Sequence, residues 1–162
     1  ACSASGAAMR ACPLLREPGD VTVPIDNLYA GGLPTLTPQE LLDTQLVIDA
    51  RAPERFRGDA EPVDAVAGHV PGAQNLPSTS LLSDDGTFRS DTELAHRFRV
   101  KGIGYADSND DGARPGVYCG SGVTAAVVVA ALAAAGHDAA LFPGSWSQWS
   151  SDPTLPVARG DE

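Results

Sequence analysis

An apolar strand, a glycine-rich loop and an apolar helix follow one another without a break between Val117 and Ala135, and few architectures accept that succession. Val117-Tyr-Cys-Gly-Ser-Gly-Val-Thr-Ala-Ala126 places Cys119 at the carboxyl end of a strand and at the mouth of a helix that Gly136 closes. A strand feeding directly into a helix is the unit from which parallel sheets are built. The other apolar runs agree with this. Leu46–Ala50 and Ala139–Phe142 read as short strands without polar alternation, as expected where helices cover both faces of a sheet. Thr37-Pro-Gln-Glu40 is a capping box with proline at the first helical position, opening a short helix that ends near Asp43. Ser90-Asp-Thr-Glu93 is a second one, opening a helix to about Lys101 with Leu94, Ala95 and Phe98 toward the core. Pro53–Phe56 reads as one helical turn and residues 58–68 as loop. His69–Pro77 reads as an extended segment turning at Pro71-Gly72, and Gly112–Pro115 as a turn.

The expected fold class is therefore α/β, with a mainly parallel central sheet flanked by helices. Residues 1–36, rich in Ala, Ser, Gly and Pro, read as a linker or extended arm with one short candidate strand, Asp20–Pro24. Residues 37–158 form the expected domain and residues 159–162 a tail. The formal net charge is −10, from eleven basic and twenty-one acidic residues, which argues against nucleic acid or an anionic membrane as partner. The longest apolar run, Val123–Gly136, is too short to span a bilayer. No basic segment followed by an apolar core opens the sequence as a secretory signal would.

Three cysteines, Cys2, Cys12 and Cys119, are too few and too scattered for a disulfide framework, and suit a reducing, cytoplasmic setting. No CxxC pair or histidine cluster suggests zinc, so neither a metal nor another cofactor is expected. Cys2 and Cys12 read as ordinary thiols. Cys119 is set apart by its surroundings. Successive N–H groups of a short glycine loop form a concave nest, and the positive end of the helix lies behind it. Such a nest favours thiolate over thiol and can hold an anion or a terminal persulfide sulfur. Gly120 and Gly122 permit the backbone angles this needs, and Ser121 and Thr124 add hydroxyl donors. A buried, inert cysteine would account for Cys119 but not for the glycines and hydroxyls around it.

Cys119-Gly-Ser-Gly-Val-Thr-Ala125 resembles the active-site loop of 3-mercaptopyruvate sulfurtransferases, the sister group of the thiosulfate sulfurtransferases, or rhodaneses. Three further segments are similar and in the same order: Asp49-Ala-Arg with Arg55-Phe56, Gly68-His-Val-Pro-Gly-Ala73 with Asn75 and Pro77, and Gly144-Ser-Trp with Trp149. The resemblance implies a rhodanese-like domain and a sulfurtransferase, in which Cys119 takes sulfur from a small anionic donor as a persulfide and passes it to cyanide or a thiol. It implies that the N–H groups of Gly120, Ser121, Gly122, Val123 and Thr124 cradle the outer sulfur, with Ser121 the catalytic hydroxyl. It also implies that Arg55 clamps the donor's anionic group. Gly120 and Ser121 stand where the thiosulfate branch carries basic residues, which favours 3-mercaptopyruvate, with thiosulfate as the alternative. Where the mercaptopyruvate branch has a second clamping arginine after Glu-Pro, this chain has Glu61-Pro-Val-Asp64. The family pairs two such domains, so a second, N-terminal rhodanese domain is the expected partner.

Arg51 is expected to pair with a neighbouring carboxylate and Arg57 to lie on the surface. His69 is expected to hold a turn, His96 to be solvated, and His137 to follow the helix cap; none is a candidate base. Trp146 and Trp149 are expected to pack the domain edge, with one of them able to wall the donor pocket. A cysteine phosphatase shares the anion cradle but needs an arginine at the sixth residue after the cysteine, and Ala125 stands there. The remaining rival is a rhodanese-like binding or regulatory module without turnover.

Overall fold

The structure, a computed structural model, describes residues 27, 29, 32–104 and 114–161. Cys2, Cys12, the Asp20–Pro24 segment and the first half of the Gly112–Pro115 turn lie outside the described residues. The elements follow in the order α1 (Pro38–Leu42), β1 (Val47–Asp49), α2 (Pro53–Arg57), β2 (Gln74–Asn75), a 3-10 turn (Ser78–Leu81), α3 (Asp91–Val100), β3 (Gly116–Tyr118), α4 (Val123–Ala134), β4 (Ala140–Leu141) and α5 (Ser145–Ser151). Both expected capping boxes form: the Thr37 hydroxyl accepts from the Glu40 N–H at 3.3 Å, and Glu93 reaches back to the Ser90 N–H at 3.2 Å.

All strand pairings are parallel, in the order β2-β1-β3-β4. Thr35 adds a parallel bridge to Leu141 beyond β4, so the chain joins the sheet just ahead of α1. At the other end Ala158 bridges His69, and the Gly160 N–H donates to the Arg57 carbonyl at 2.9 Å.

Period-two alternation along the strands divides the core into two layers. Ile48, Val117 and Cys119 face Leu94 and Phe98 of α3 and Val128 and Leu132 of α4. Val47 and Tyr118 face Leu41 of α1, Phe56 of α2, Phe142, and Trp146 and Trp149 of α5. Ala95 is only half-buried beside Leu94 and Phe98.

The two tryptophans depart from expectation. Both are 0% exposed and fill the centre of the second layer rather than an edge. Their indole N–H groups donate to the carbonyls of Val66 and Pro156 at 2.9 and 2.8 Å, which allows complete burial. The helix that carries them, α5, was not legible: Ser-Trp-Ser-Gln-Trp-Ser-Ser has middling helix propensity, and tertiary packing determines it.

Candidate active site

Open parallel sheets bind ligands beyond the carboxyl ends of their strands, and the pocket around Cys119 lies there. It has a volume of about 320 Å³ and is lined by Ala50, Arg51 and Ala52 after β1, Pro77, Ser78 and Thr79 after β2, and Cys119, Gly120, Ser121, Val123 and Thr124 after β3, with Arg55 from α2 above. A larger groove between β2 and α3, lined by His96 and Arg97 among others, holds no cysteine.

Cys119 is 2% exposed, with its sulfur at the floor of this pocket. Gly122 shapes the loop. It is the N-cap of α4 at φ 85°, and a Cβ there would stand 2.7 Å from the Pro143 carbonyl oxygen, so only glycine is accommodated. The turn aims main-chain donors at the sulfur. Burial pushes the Cys119 thiol up, but the Thr124 hydroxyl and the N–H groups of Ala125, Ser121 and Gly122 outweigh it, and the thiol lies below its ordinary value. The resemblance assigned the N–H groups of residues 120–124 to the outer sulfur of a persulfide, and the sequence named Ser121 and Thr124 as hydroxyl donors. At the thiol itself the Thr124 hydroxyl acts together with the N–H groups of Ser121, Gly122 and Ala125, while Gly120 and Val123 line the pocket. Ala125 carried no signal, because a backbone donor does not depend on side-chain type. Alkylation of Cys119 by iodoacetamide should therefore rise with pH through a midpoint below the value of an unperturbed cysteine thiol and then level off. A midpoint at or above that value would show that burial wins.

Arg55 reaches over the loop: a Cβ on Gly120 would lie 3.3 Å from its Nη1. Its other two nitrogens are engaged. Nη2 donates to Glu61 Oε1 at 2.5 Å, Nε to Glu61 Oε2 at 3.3 Å, and Nη2 also pairs with Asp64 Oδ2 at 3.5 Å. Burial pushes the Glu61 carboxyl up, but Arg55 and the N–H groups of Asp64 and Val63 hold it below its usual value, so it is ionised at neutral pH. The arginine thus meets the pocket with one free edge and much of its charge matched. This pairing was not legible, since Glu61 and Asp64 reach Arg55 across a loop with no periodicity.

Arg51 lies deeper, 3% exposed, held by Asp49 and stacked 4.7 Å from the Trp146 ring, in the structural pairing its position suggested. Arg57 pairs with Asp59 at 2.8 Å near the surface. His69 is fully buried, its Nδ1 2.8 Å from the Phe56 carbonyl oxygen and its ring stacked 3.8 Å from that of Phe56. His96 is exposed on α3, His137 packs edge-on to Phe98, and none of the three lines the pocket. No group of residues able to hold a metal ion occurs among the described residues, and no helix among them is long and apolar enough to cross a membrane.

The rhodanese-like domain family matches residues 37–152. A putative thiosulfate sulfurtransferase, SseB, of Mycobacterium tuberculosis is 61% identical over 143 residues, covering 88% of this chain and 48% of that protein. A probable 3-mercaptopyruvate sulfurtransferase of Pseudomonas aeruginosa is 46% identical over 71% of this chain and 39% of its own length. The human 3-mercaptopyruvate sulfurtransferase is 40% identical over 64% of this chain and 34% of its own. The chain thus spans at most about half the length of these relatives. Among solved structures, Tum1 of Saccharomyces cerevisiae superposes with a TM-score of 0.61 at 29% identity, over 76% of this chain and 43% of that one. The four-stranded parallel sheet with helices on both faces, the cysteine loop at its carboxyl edge and these matches agree, and the chain belongs to the rhodanese family.

Proposed function

We propose that this chain is the catalytic domain of a sulfurtransferase that moves sulfane sulfur from a small anionic donor through a persulfide on Cys119 to a thiophilic acceptor. The observation that carries the proposal is the donor set around Cys119, which draws the thiol below its ordinary value at the floor of a pocket overhung by Arg55. The Cys119 thiolate attacks the donor's outer sulfur, forming an S–S bond. With 3-mercaptopyruvate the C–S bond breaks and pyruvate leaves as its enolate, which takes up a proton; with thiosulfate the S–S bond breaks and sulfite leaves. The terminal sulfur of the persulfide inherits the negative charge, and the N–H and hydroxyl donors of the loop that lower the Cys119 thiol would stabilise it. Cyanide or a thiolate then attacks that sulfur and releases Cys119 as thiolate.

The donor we favour is 3-mercaptopyruvate. No basic residue lies between Cys119 and Gly136, and the charge of Arg55 is largely matched by Glu61 and Asp64, which suits a monoanion better than a dianion. Thiosulfate is the second reading, supported by the name of the Mycobacterium tuberculosis relative. Steady-state transfer to cyanide with each donor tests both readings. A higher kcat/KM for 3-mercaptopyruvate is expected. A preference for thiosulfate would overturn the donor assignment, and a protein that gains no extra sulfur by mass spectrometry with either donor is a binding module instead. The proposal includes a second rhodanese domain facing the pocket, to which Val123 at its wall, 73% exposed, would be presented.

Arg55→Ala should raise the donor's KM about tenfold or more, the effect of losing one charge-assisted hydrogen bond. Transfer from the persulfide to cyanide, followed in a single turnover, should change little. An unchanged KM would remove Arg55 from the donor site.

A further inference from the structure

The parallel ladder between β3 and β4 is interrupted at the nucleophile. Phe142 N–H donates to the Val117 carbonyl at 2.9 Å, and an uninterrupted ladder would next pair Cys119 N–H with the Phe142 carbonyl. Instead the Ser145 hydroxyl stands between them: it accepts from Cys119 N–H at 3.1 Å and donates to the Phe142 carbonyl at 2.9 Å. Ser145 is 0% exposed and has φ 51°, the one non-glycine residue with positive φ among the described residues. An L-residue adopts this conformation at a cost, and the surrounding structure must enforce it. The two residues that follow are fastened to the same loop, Trp146 N–H to the Cys119 carbonyl at 3.0 Å and Ser147 N–H to the Gly120 carbonyl at 2.9 Å.

We propose that Ser145 is a positioning residue for the nucleophile: its strained, buried hydroxyl replaces the ladder bond between Cys119 and Phe142 and fixes the main chain from which the sulfur cradle is built. The hydroxyl bridge lets β3 and β4 part at Cys119 without leaving its N–H or the Phe142 carbonyl unpaired. The carbonyls of Cys119 and Gly120 are turned toward α5 by the same element, so the next N–H groups, beginning with Ser121, are free to face the sulfur. Ser145 lies outside the pocket lining and acts through Cys119, not on the donor. The inference rests on the sulfurtransferase reading for its effect on turnover, but not for its effect on the thiol.

Ser145→Gly and Ser145→Ala, each in the full chain, test it. Glycine removes the hydroxyl and relieves the φ, so the fold is retained; alanine removes the hydroxyl and keeps the strain. For both, the pH midpoint of iodoacetamide alkylation of Cys119 should move up by about half to one unit, since a less well-aimed cradle favours the thiolate less. At a pH below the midpoint this is a threefold to tenfold loss of rate, and kcat for transfer to cyanide should fall similarly while the donor's KM stays within about twofold. Ser145→Gly should melt no lower than Ser145→Ala. A Ser145→Gly protein with the wild-type alkylation midpoint would overturn the inference. A wild-type protein with a low midpoint but no sulfur transfer would instead remove the functional reading and leave the positioning role standing.

Discussion

Cys119→Ser is expected to reduce sulfur transfer by at least about a thousandfold, to the background without enzyme, while leaving the fold in place. The loss is chemical. A serine hydroxyl at the floor of the same pocket cannot carry the sulfur as a persulfide, and its pKa leaves almost no alkoxide to attack. The small structural effect follows from the partners that remain. The replacement is one atom of similar size, and the new hydroxyl meets the Thr124 hydroxyl and the N–H groups of Ser121, Gly122 and Ala125. A buried polar atom with partners costs little, so a stability change within about 1.5 kcal/mol is expected. Steady-state assay with both donors, thermal unfolding and intact mass together decide the matter. The variant should show no added sulfur after incubation with donor. Turnover within tenfold of wild type would move the nucleophile elsewhere, and the mechanism proposed for this pocket would not survive it.

What could be read from the residues alone, and what could not, divides by the range of the interactions. Both capping boxes were legible because each is complete within four residues, Thr37–Glu40 and Ser90–Glu93. The strand–loop–helix around Cys119 was legible because its glycines, hydroxyls and apolar flanks are contiguous. The identity of the cradle donors was less so. Ala125 enters through its N–H, which every residue but proline has, whereas the Thr124 hydroxyl was already among the expected donors. Interactions between distant segments were not legible at all. Ser145 reaches Cys119 over 26 residues and Glu61 reaches Arg55 around a loop, and neither leaves a periodic trace. The burial of Trp146 and Trp149 failed for a related reason: the acceptors of their indole N–H groups, the carbonyls of Val66 and Pro156, come from other segments, and no local pattern shows them in the interior.

The largest loss of stability is expected from Asp49→Ala. Asp49 is 0% exposed at the end of β1, and its carboxylate holds the buried guanidinium of Arg51 through Nε at 3.1 and 3.0 Å and Nη2 at 2.6 Å, while Oδ1 also accepts the Arg51 N–H at 2.8 Å. Burial and the neighbouring Asp49 charge push the Tyr118 phenol well above its ordinary value, so the tyrosine is a neutral partner that cannot replace the lost carboxylate. Arg51 would keep Glu61 at 3.3 Å and the Gly68 carbonyl at 2.7 Å, but Glu61 already serves Arg55 at 2.5 Å. Breaking a buried ion pair from one side leaves a charge without compensation and costs about 3–5 kcal/mol, a large part of the 5–15 kcal/mol that typically holds a domain. For a chain of this size that lowers the melting temperature by roughly 6–20 °C. Replacing both partners separates the charge effect from packing. Asp49→Ala with Arg51→Met removes the stranded cation and fills part of its space against Trp146, so the double variant should be more stable than Asp49→Ala alone. Denaturant unfolding of the two single variants and the double variant gives the coupling energy directly. A double variant as unstable as the sum of the singles would mean that the two residues act independently, and the buried pair would not be what holds Ala50, Arg51 and Ala52 against the pocket.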